Sequence, residues 1–129
     1  MYEEFLNKKN RIAVVGASRN KEKWGYRVFR KLKDLGFIVF PVNPGVNEIE
    51  GERCYADLGS LPEKPDLVIT VVKPEITEKV VEECRGAGVR RVWMQPGSES
   101  RKAVLYCKNN GIEVVYDSCY VVDGLKTDW

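Results

Sequence analysis

The sequence predicts a single-domain α/β protein with a Rossmann-like three-layer fold and a five-stranded, mostly parallel sheet. Three observations support this prediction. Five short apolar runs, rich in β-branched residues, recur along the 129-residue chain. Helical hydrophobic spacing fills most of the intervals between them. No internal repeat or low-complexity linker divides the chain, so we expect one domain over residues 1–129.

The apolar runs have the composition of strands that are covered on both faces. Continuous β-branched runs suit a parallel sheet that carries helices on each side. From the N-terminus the runs occupy residues 12–15, 37–40, 67–72, 91–94 and 113–116. Right-handed crossovers between successive strands give a parallel sheet, for which we expect strand order 3-2-1-4-5.

Helical spacing separates these runs. Val28, Leu32 and Leu35 recur at i, i+4 and i+7, and Gly36 is a suitable C-terminal stop. Further helices are predicted in residues 76–87 and 98–110, with a short leading helix in residues 2–9. Ser98 is the N-cap that we expect for the helix in residues 98–110.

The composition limits the kinds of partner that we expect this protein to bind. With 21 basic and 19 acidic residues, the net charge of +2 is too balanced for a general nucleic-acid binder. The charged N-terminus has no signal-peptide pattern, and no apolar run reaches the length that spans a bilayer. The four cysteines form no CxxC pair and the chain has no His, so we expect reduced thiols and no metal site. The expectation is therefore a cytoplasmic protein that binds neither nucleic acid nor membrane.

Ligands of parallel α/β sheets bind beyond the carboxyl ends of the strands, which directs attention to the loops there. The loop after the first strand begins Gly16, Ala17, Ser18, and Arg19 and Lys23 add positive charge before the next helix. Small residues allow close backbone approach, and a helix start binds phosphate, so a phosphate site is predicted here; an ordinary βα turn is the alternative. The loop matches neither the dinucleotide pattern GxGxxG nor a P-loop.

The loop after the second strand is neutral. NAD-binding domains usually place an acidic residue at this point, where it binds the ribose hydroxyls. Here the residues are Pro41, Val42, Asn43 and Pro44. They argue against NAD and suit a wall for an adenine or a phosphorylated ribose, although a plain proline-rich turn explains them equally well.

Two later loops face the same edge of the predicted sheet. Lys73 follows the third run, where it can neutralise a phosphate or simply be a surface lysine. Gly97 follows the fourth run and permits unusual backbone angles. Cys119 follows the fifth run, so its thiol is either buried structurally or exposed at the mouth of the crevice.

Taken together, these stretches resemble the small CoA-binding protein family. That family is similar to the CoA-binding domain of the succinyl-CoA synthetase α subunit and of ADP-forming acyl-CoA synthetases. The resemblance covers the chain from about Arg11 to about Val122. The matching stretches are residues 12–18, 24–28, 39–44, 51–55, 92–97 and 117–119, with Leu58, Leu61 and Pro62 between them.

The resemblance implies coenzyme A as the cofactor and assigns each loop a part of it. The first loop holds the pyrophosphate region, and the second walls the adenosine side near the 3′-phosphate. The third loop borders the pantetheine or the phosphates, and the fourth lies further along the pantetheine path. The implied binding residues are Gly16, Ala17, Ser18, Arg19, Lys23, Trp24, Gly25, Tyr26, Pro41, Val42, Asn43, Pro44, Val72, Lys73, Pro74, Gln95, Pro96 and Gly97.

The resemblance also implies what this chain lacks. The synthetases use a phosphorylated His and a grasp domain, whereas this chain has no His. We therefore expect a non-catalytic carrier, sensor or regulatory protein that binds CoA or acyl-CoA, with no catalytic residue. Three alternatives stay open: an NAD(P)- or adenine-nucleotide-dependent oxidoreductase, a detached synthetase subunit with a partner chain, and thiol storage as a mixed disulfide at Cys119. A homo-oligomer is also open.

Overall fold

A parallel five-stranded sheet forms the centre of the computed structural model, which describes residues 2–129. Its strands are β1 (Arg11–Val15), β2 (Ile38–Val42), β5 (Leu67–Thr70), β6 (Arg91–Met94) and β7 (Glu113–Val115). A small antiparallel pair, β3 (Glu48–Ile49) and β4 (Glu52–Arg53), follows β2. The helices are α1 (Glu3–Leu6), α2 (Trp24–Asp34), α3 (Pro74–Ala87) and α4 (Arg101–Asn109), with a 3₁₀ turn at Leu58–Ser60 and a π-helical turn at Tyr120–Gly124. The predicted α/β class and parallel sheet are confirmed.

The predicted strand order is wrong. The sheet runs β2-β1-β5-β6-β7, so its five strands have the order 2-1-3-4-5 rather than 3-2-1-4-5. The outer edge of β2 is already occupied, because the Tyr55 N–H donates to the Pro41 carbonyl (2.9 Å) and the Asn43 N–H to the Tyr55 carbonyl (2.8 Å). The third long strand, β5, therefore pairs with β1 on its other side. All four residues of β5 are buried, as a central position requires.

The core lies on both faces of this sheet, as the continuous apolar runs predict. On one face, Phe29 and Leu32 of α2 pack with Trp93 and Tyr120. On the other, buried residues of α3 and α4 cover Val68 and Val92 among others. Burying one large apolar side chain stabilises the fold by about 1.5–3 kcal/mol, so packing rather than surface charge holds the sheet.

The helix ends are set by local signals, of which the sequence identified some. The helix α2 ends before Gly36, which has a φ of 90°, so the predicted stop is confirmed. The predicted N-cap of α4 is wrong: Ser100, not Ser98, accepts the N–H of Ala103. Ser98 is instead buried, and its hydroxyl donates to the carbonyl oxygen of Gln95.

Candidate functional site

A cleft of about 720 Å³ opens at the carboxyl ends of β1 and β5. In a sheet of order 2-1-3-4-5, the chain reverses its direction of winding between the first and third strands, and ligands of such folds bind at that point. The loops after β1, β2, β5 and β6 all contribute to the lining. The cleft therefore lies where the topology places a ligand site.

Two glycines allow the first loop and α2 to approach the sheet closely. Gly16 has a φ of 101°, and a Cβ there would lie 2.2 Å from the Val71 carbonyl oxygen. A Cβ on Gly25, in the first turn of α2, would lie 1.9 Å from the Gly16 carbonyl oxygen. Neither position has room for a side chain, so the start of α2 is held directly against the loop that follows β1.

The amino ends of two helices line the cleft, and each is preceded by a lysine. Lys23 is the N-cap residue of α2 and Lys73 that of α3, and neither makes a side-chain cap hydrogen bond. Helix N-termini carry unpaired N–H groups and a partial positive charge, where acidic or Ser and Asn side chains are the favourable choice. Within residues 2–129, neither lysine forms an ion pair. Lys23 and Lys73 therefore place two positive charges at this end of the cleft, and among the described residues no carboxylate lies at ion-pair distance from either of them.

The loop after β6 closes a further side of the cleft. Gly97 has a φ of 93°, in the region that favours glycine. The buried Ser98 hydroxyl lies 3.0 Å from the Thr70 carbonyl oxygen and 2.7 Å from that of Gln95. These contacts tie the loop to the end of β5 and fix the position of Pro96 and Gly97 at the cleft wall.

Most of the sequence-predicted binding residues meet in this cleft. Those that line it are Gly16, Ser18, Lys23, Trp24, Gly25, Asn43, Val72, Lys73, Pro74, Pro96 and Gly97. The remaining seven lie outside its lining: Ala17, Arg19, Tyr26, Pro41, Val42, Pro44 and Gln95.

Other contacts occupy several of those seven residues. Ala17 and Val42 are core residues, 0% and 2% exposed. The Tyr26 hydroxyl donates to Glu50 at 2.7 Å, on the surface of α2. Arg19 and Pro44 are exposed on their loops. Their roles in binding stay predictions.

The cleft lining also includes residues that sequence reasoning missed as site residues. They are Glu22, Val71, Ile76 and Ser98. Ile76 begins the stretch in which the sequence predicts a helix, and in the structure it lies in the first turn of α3, 42% exposed. An apolar residue in the first turn of a helix that follows a strand's carboxyl end is the signal that could have identified it.

A second cavity of about 390 Å³ adjoins the first. The two share Trp24, Val71 and Pro96, and the second is completed by Gln95, Cys119, Val122, Asp123 and Trp129. Gln95 fixes the π-helical turn, because its Oε1 accepts the Tyr120 N–H at 2.7 Å and its Nε2 donates to Cys119 Sγ at 3.5 Å. Gln95 thus shapes the second cavity rather than the main cleft.

The four cysteines differ in environment. Cys54, Cys84 and Cys107 are buried, whereas Cys119 is partly exposed. Burial raises the pKa of the Cys84 thiol, and it raises that of Cys107 to about 11. Across residues 2–129 there is no group of three side chains placed to hold a metal ion, and no helix has the length and apolar character to cross a membrane.

Comparison with known proteins identifies the family. A family model described as a CoA binding domain matches residues 10–124. The α subunit of ADP-forming acetate–CoA ligase II from Pyrococcus furiosus is 38% identical over 93 residues, which are 71% of this chain and 20% of that protein. The chain spans only 12% to 20% of the first four ligase relatives.

Smaller relatives match along nearly their whole length. The uncharacterized protein YneT of Bacillus subtilis is 29% identical over 119 residues, which cover 92% of this chain and 88% of that protein. A solved conserved hypothetical protein from Pyrococcus furiosus has 37% identity and a TM-score of 0.83, covering 91% of this chain and 98% of its own. From the matched residues and the shared fold, the chain belongs to the CoA binding domain family.

Proposed function

We propose that this chain binds coenzyme A or an acyl-CoA by its nucleotide end in the main cleft, and that it acts as a carrier, sensor or regulatory protein. Membership of the family supports the ligand. The observation that carries the proposal is the pair of helix amino ends, each with a lysine at its N-cap, directed at one cleft.

A positive N-cap is unfavourable without an anion. The N-terminal partial charge of a helix favours a negative group by typically 0.3–1 kcal/mol and disfavours a positive one by a similar amount. Lys23 and Lys73 both oppose this preference. Bound phosphate groups would reverse the sign of both interactions and would also accept the unpaired N–H groups. The pyrophosphate and 3′-phosphate of CoA supply several negative charges for this role.

The second loop supports CoA over NAD as the ligand. The Asn43 side chain is committed within the protein: Nδ2 donates to the Ala17 carbonyl at 2.9 Å, and Oδ1 accepts the Gly45 N–H at 2.9 Å. The stretch from Pro41 to Gly45 contains no acidic residue for ribose hydroxyls. The neutral loop therefore suits a ribose that carries a phosphate.

The chain's own residues support binding rather than catalysis. The resemblance to synthetases implies phosphoryl transfer through a histidine, and this chain contains none. The titratable side chains that line the main cleft are Glu22, Lys23 and Lys73, and all three are exposed. A side chain that acts as a general acid or base usually has a pKa that is shifted by burial or by a close charged partner.

A second candidate is a role as the CoA-binding part of a larger assembly. The similarity to the ligase α subunit favours it. In that case the chain would form a stable complex with a histidine-bearing partner chain when purified from its native source. Elution as a monomer or homodimer would contradict this candidate without affecting CoA binding.

The proposed ligand is tested by calorimetry on the purified chain under reducing conditions, with NAD, NADP and ATP as competitors. We expect CoA to bind at least tenfold more tightly than NAD. Binding of NAD without CoA would contradict the proposal and favour the oxidoreductase alternative.

A further inference from the structure

The second cavity has a different chemical character from the main cleft. The main cleft is larger, about 720 Å³ against about 390 Å³, and carries Lys23 and Lys73. Among residues 2–129, the second cavity has no lysine or arginine in its lining. Trp24 and Trp129 form part of its wall together with Val71 and Val122. A phosphate would find no cation here, whereas a hydrocarbon group would be removed from water.

The two cavities are neighbours, so one extended ligand can occupy both. Trp24, Val71 and Pro96 line both spaces. A ligand with its phosphates at Lys23 and Lys73 can therefore direct its other end across these shared residues. In an acyl-CoA, the end opposite the nucleotide is the thioester and its acyl chain.

Trp129, which follows the π-helical turn, forms part of the wall of this cavity. The Trp129 ring lies against the Trp24 ring, with centroids 5.3 Å apart, and the Lys31 ammonium donates to the Trp129 carbonyl at 3.2 Å. The family model matches residues 10–124, so Trp129 lies outside the matched range. The other seven lining residues lie within the matched part of the chain.

We propose that the second cavity binds the acyl chain of a short, uncharged acyl-CoA; this inference rests on the proposed function. Apolar walls favour an alkyl group. The Asp123 carboxylate on the same lining disfavours an acyl group that ends in a carboxylate, such as a succinyl group. The site therefore distinguishes acyl-CoA from free CoA and neutral from anionic acyl groups.

The test compares dissociation constants of free CoA, acetyl-CoA, butyryl-CoA and succinyl-CoA by calorimetry. Each buried methylene is worth roughly a fourfold gain, so butyryl-CoA, with two more methylenes, binds about fifteenfold more tightly than acetyl-CoA. Succinyl-CoA binds more weakly than butyryl-CoA. In Trp129→Ala and in Val122→Asp, two exposed positions of the lining, the ratio of butyryl- to acetyl-CoA affinity falls to about 3 or less. Leu105→Ala, which removes an equally exposed apolar side chain on α4, leaves the ratio at its wild-type value.

The outcomes separate the inference from the proposed function. Absence of binding by free CoA and by every acyl-CoA overturns the proposed function. Binding of free CoA with equal affinity for acetyl- and butyryl-CoA overturns the inference alone. A wild-type ratio that survives both Trp129→Ala and Val122→Asp also overturns it, because the acyl chain would then lie elsewhere. Tighter binding of succinyl- than butyryl-CoA contradicts the role of Asp123.

Discussion

Gly25→Ala and Gly86→Ala replace helical glycines in α2 and α3, but the structure predicts opposite effects on stability. Helix propensity alone favours alanine over glycine by up to about 1 kcal/mol at both positions. A Cβ at Gly86 would meet no atom within 4 Å, so this gain is realised there. A Cβ at Gly25 would lie 1.9 Å from the Gly16 carbonyl oxygen, and backbone must move by about 1 Å to relieve it.

The cost of that displacement exceeds the gain in propensity. Overpacking of this kind destabilises proteins by typically 1–3 kcal/mol, and here the contact is with backbone, which adapts less than a side chain. We expect Gly25→Ala to lose about 2 kcal/mol, which for a chain of this length lowers the Tm by roughly 6–10 °C. Displacing the start of α2 from Gly16 also widens the cleft, so affinity for CoA falls in the same variant.

Urea unfolding monitored by tryptophan fluorescence measures both variants against the wild type. Gly86→Ala is the matched control, since it makes the same chemical change in a helix where nothing opposes it. A Gly25→Ala variant as stable as the wild type or more stable would refute the close approach of α2 to the first loop, and with it the shape of the cleft.

Three further predictions concern other parts of the molecule. A thiol reagent should label Cys119 rapidly in the folded protein and Cys84 only on unfolding, because burial raises the pKa of the Cys84 thiol; fast loss of two thiols by mass spectrometry would contradict this. Ser98→Ala should lower the free energy of unfolding by about 1 kcal/mol in urea, since the buried hydroxyl satisfies carbonyl groups; an unchanged midpoint would contradict it. Hydrogen bonds from the Tyr26 hydroxyl and Arg30 hold the pKa of Glu50 below its ordinary value of 4.5, so Glu50 contributes stability above that pH. The Tm difference between wild type and Glu50→Gln should vanish as the pH falls through the lowered pKa, and a constant difference would oppose this reasoning.

The sequence was sufficient for the class of fold because its strongest signals are local. The apolar runs that become β1 and β5 are β-branched and continuous, and both strands are buried along nearly their whole length. The order of the strands was not predictable in the same way. It depends on Tyr55, whose backbone occupies the edge of β2, and no local pattern marks a single extended residue as an edge partner.

The candidate site also combines residues that local signals identify with residues whose positions depend on long-range contacts. Gly16, Lys23 and Lys73 follow strand ends or begin helices, so topology alone brings them to one cleft. The orientation of Gln95 could not be predicted, because the buried amide hydrogen bonds with residues 24 and 25 positions further along the chain. The second cavity depends on the contact of Trp129 with Trp24, two residues that are 105 positions apart in the sequence.

The most direct test of the account is the affinity for CoA of Lys23→Ala and Lys73→Ala, measured by calorimetry at low and high salt. Each lysine supplies charge to the phosphates, so we expect each variant to bind about five- to tenfold more weakly and to show a smaller dependence on salt than the wild type. Lys102→Ala is the control, since Lys102 is an exposed lysine of α4 outside both cavities. Wild-type affinity in both cleft variants, or a wild-type affinity that does not change with salt, would contradict binding of the nucleotide end at the two helix amino ends.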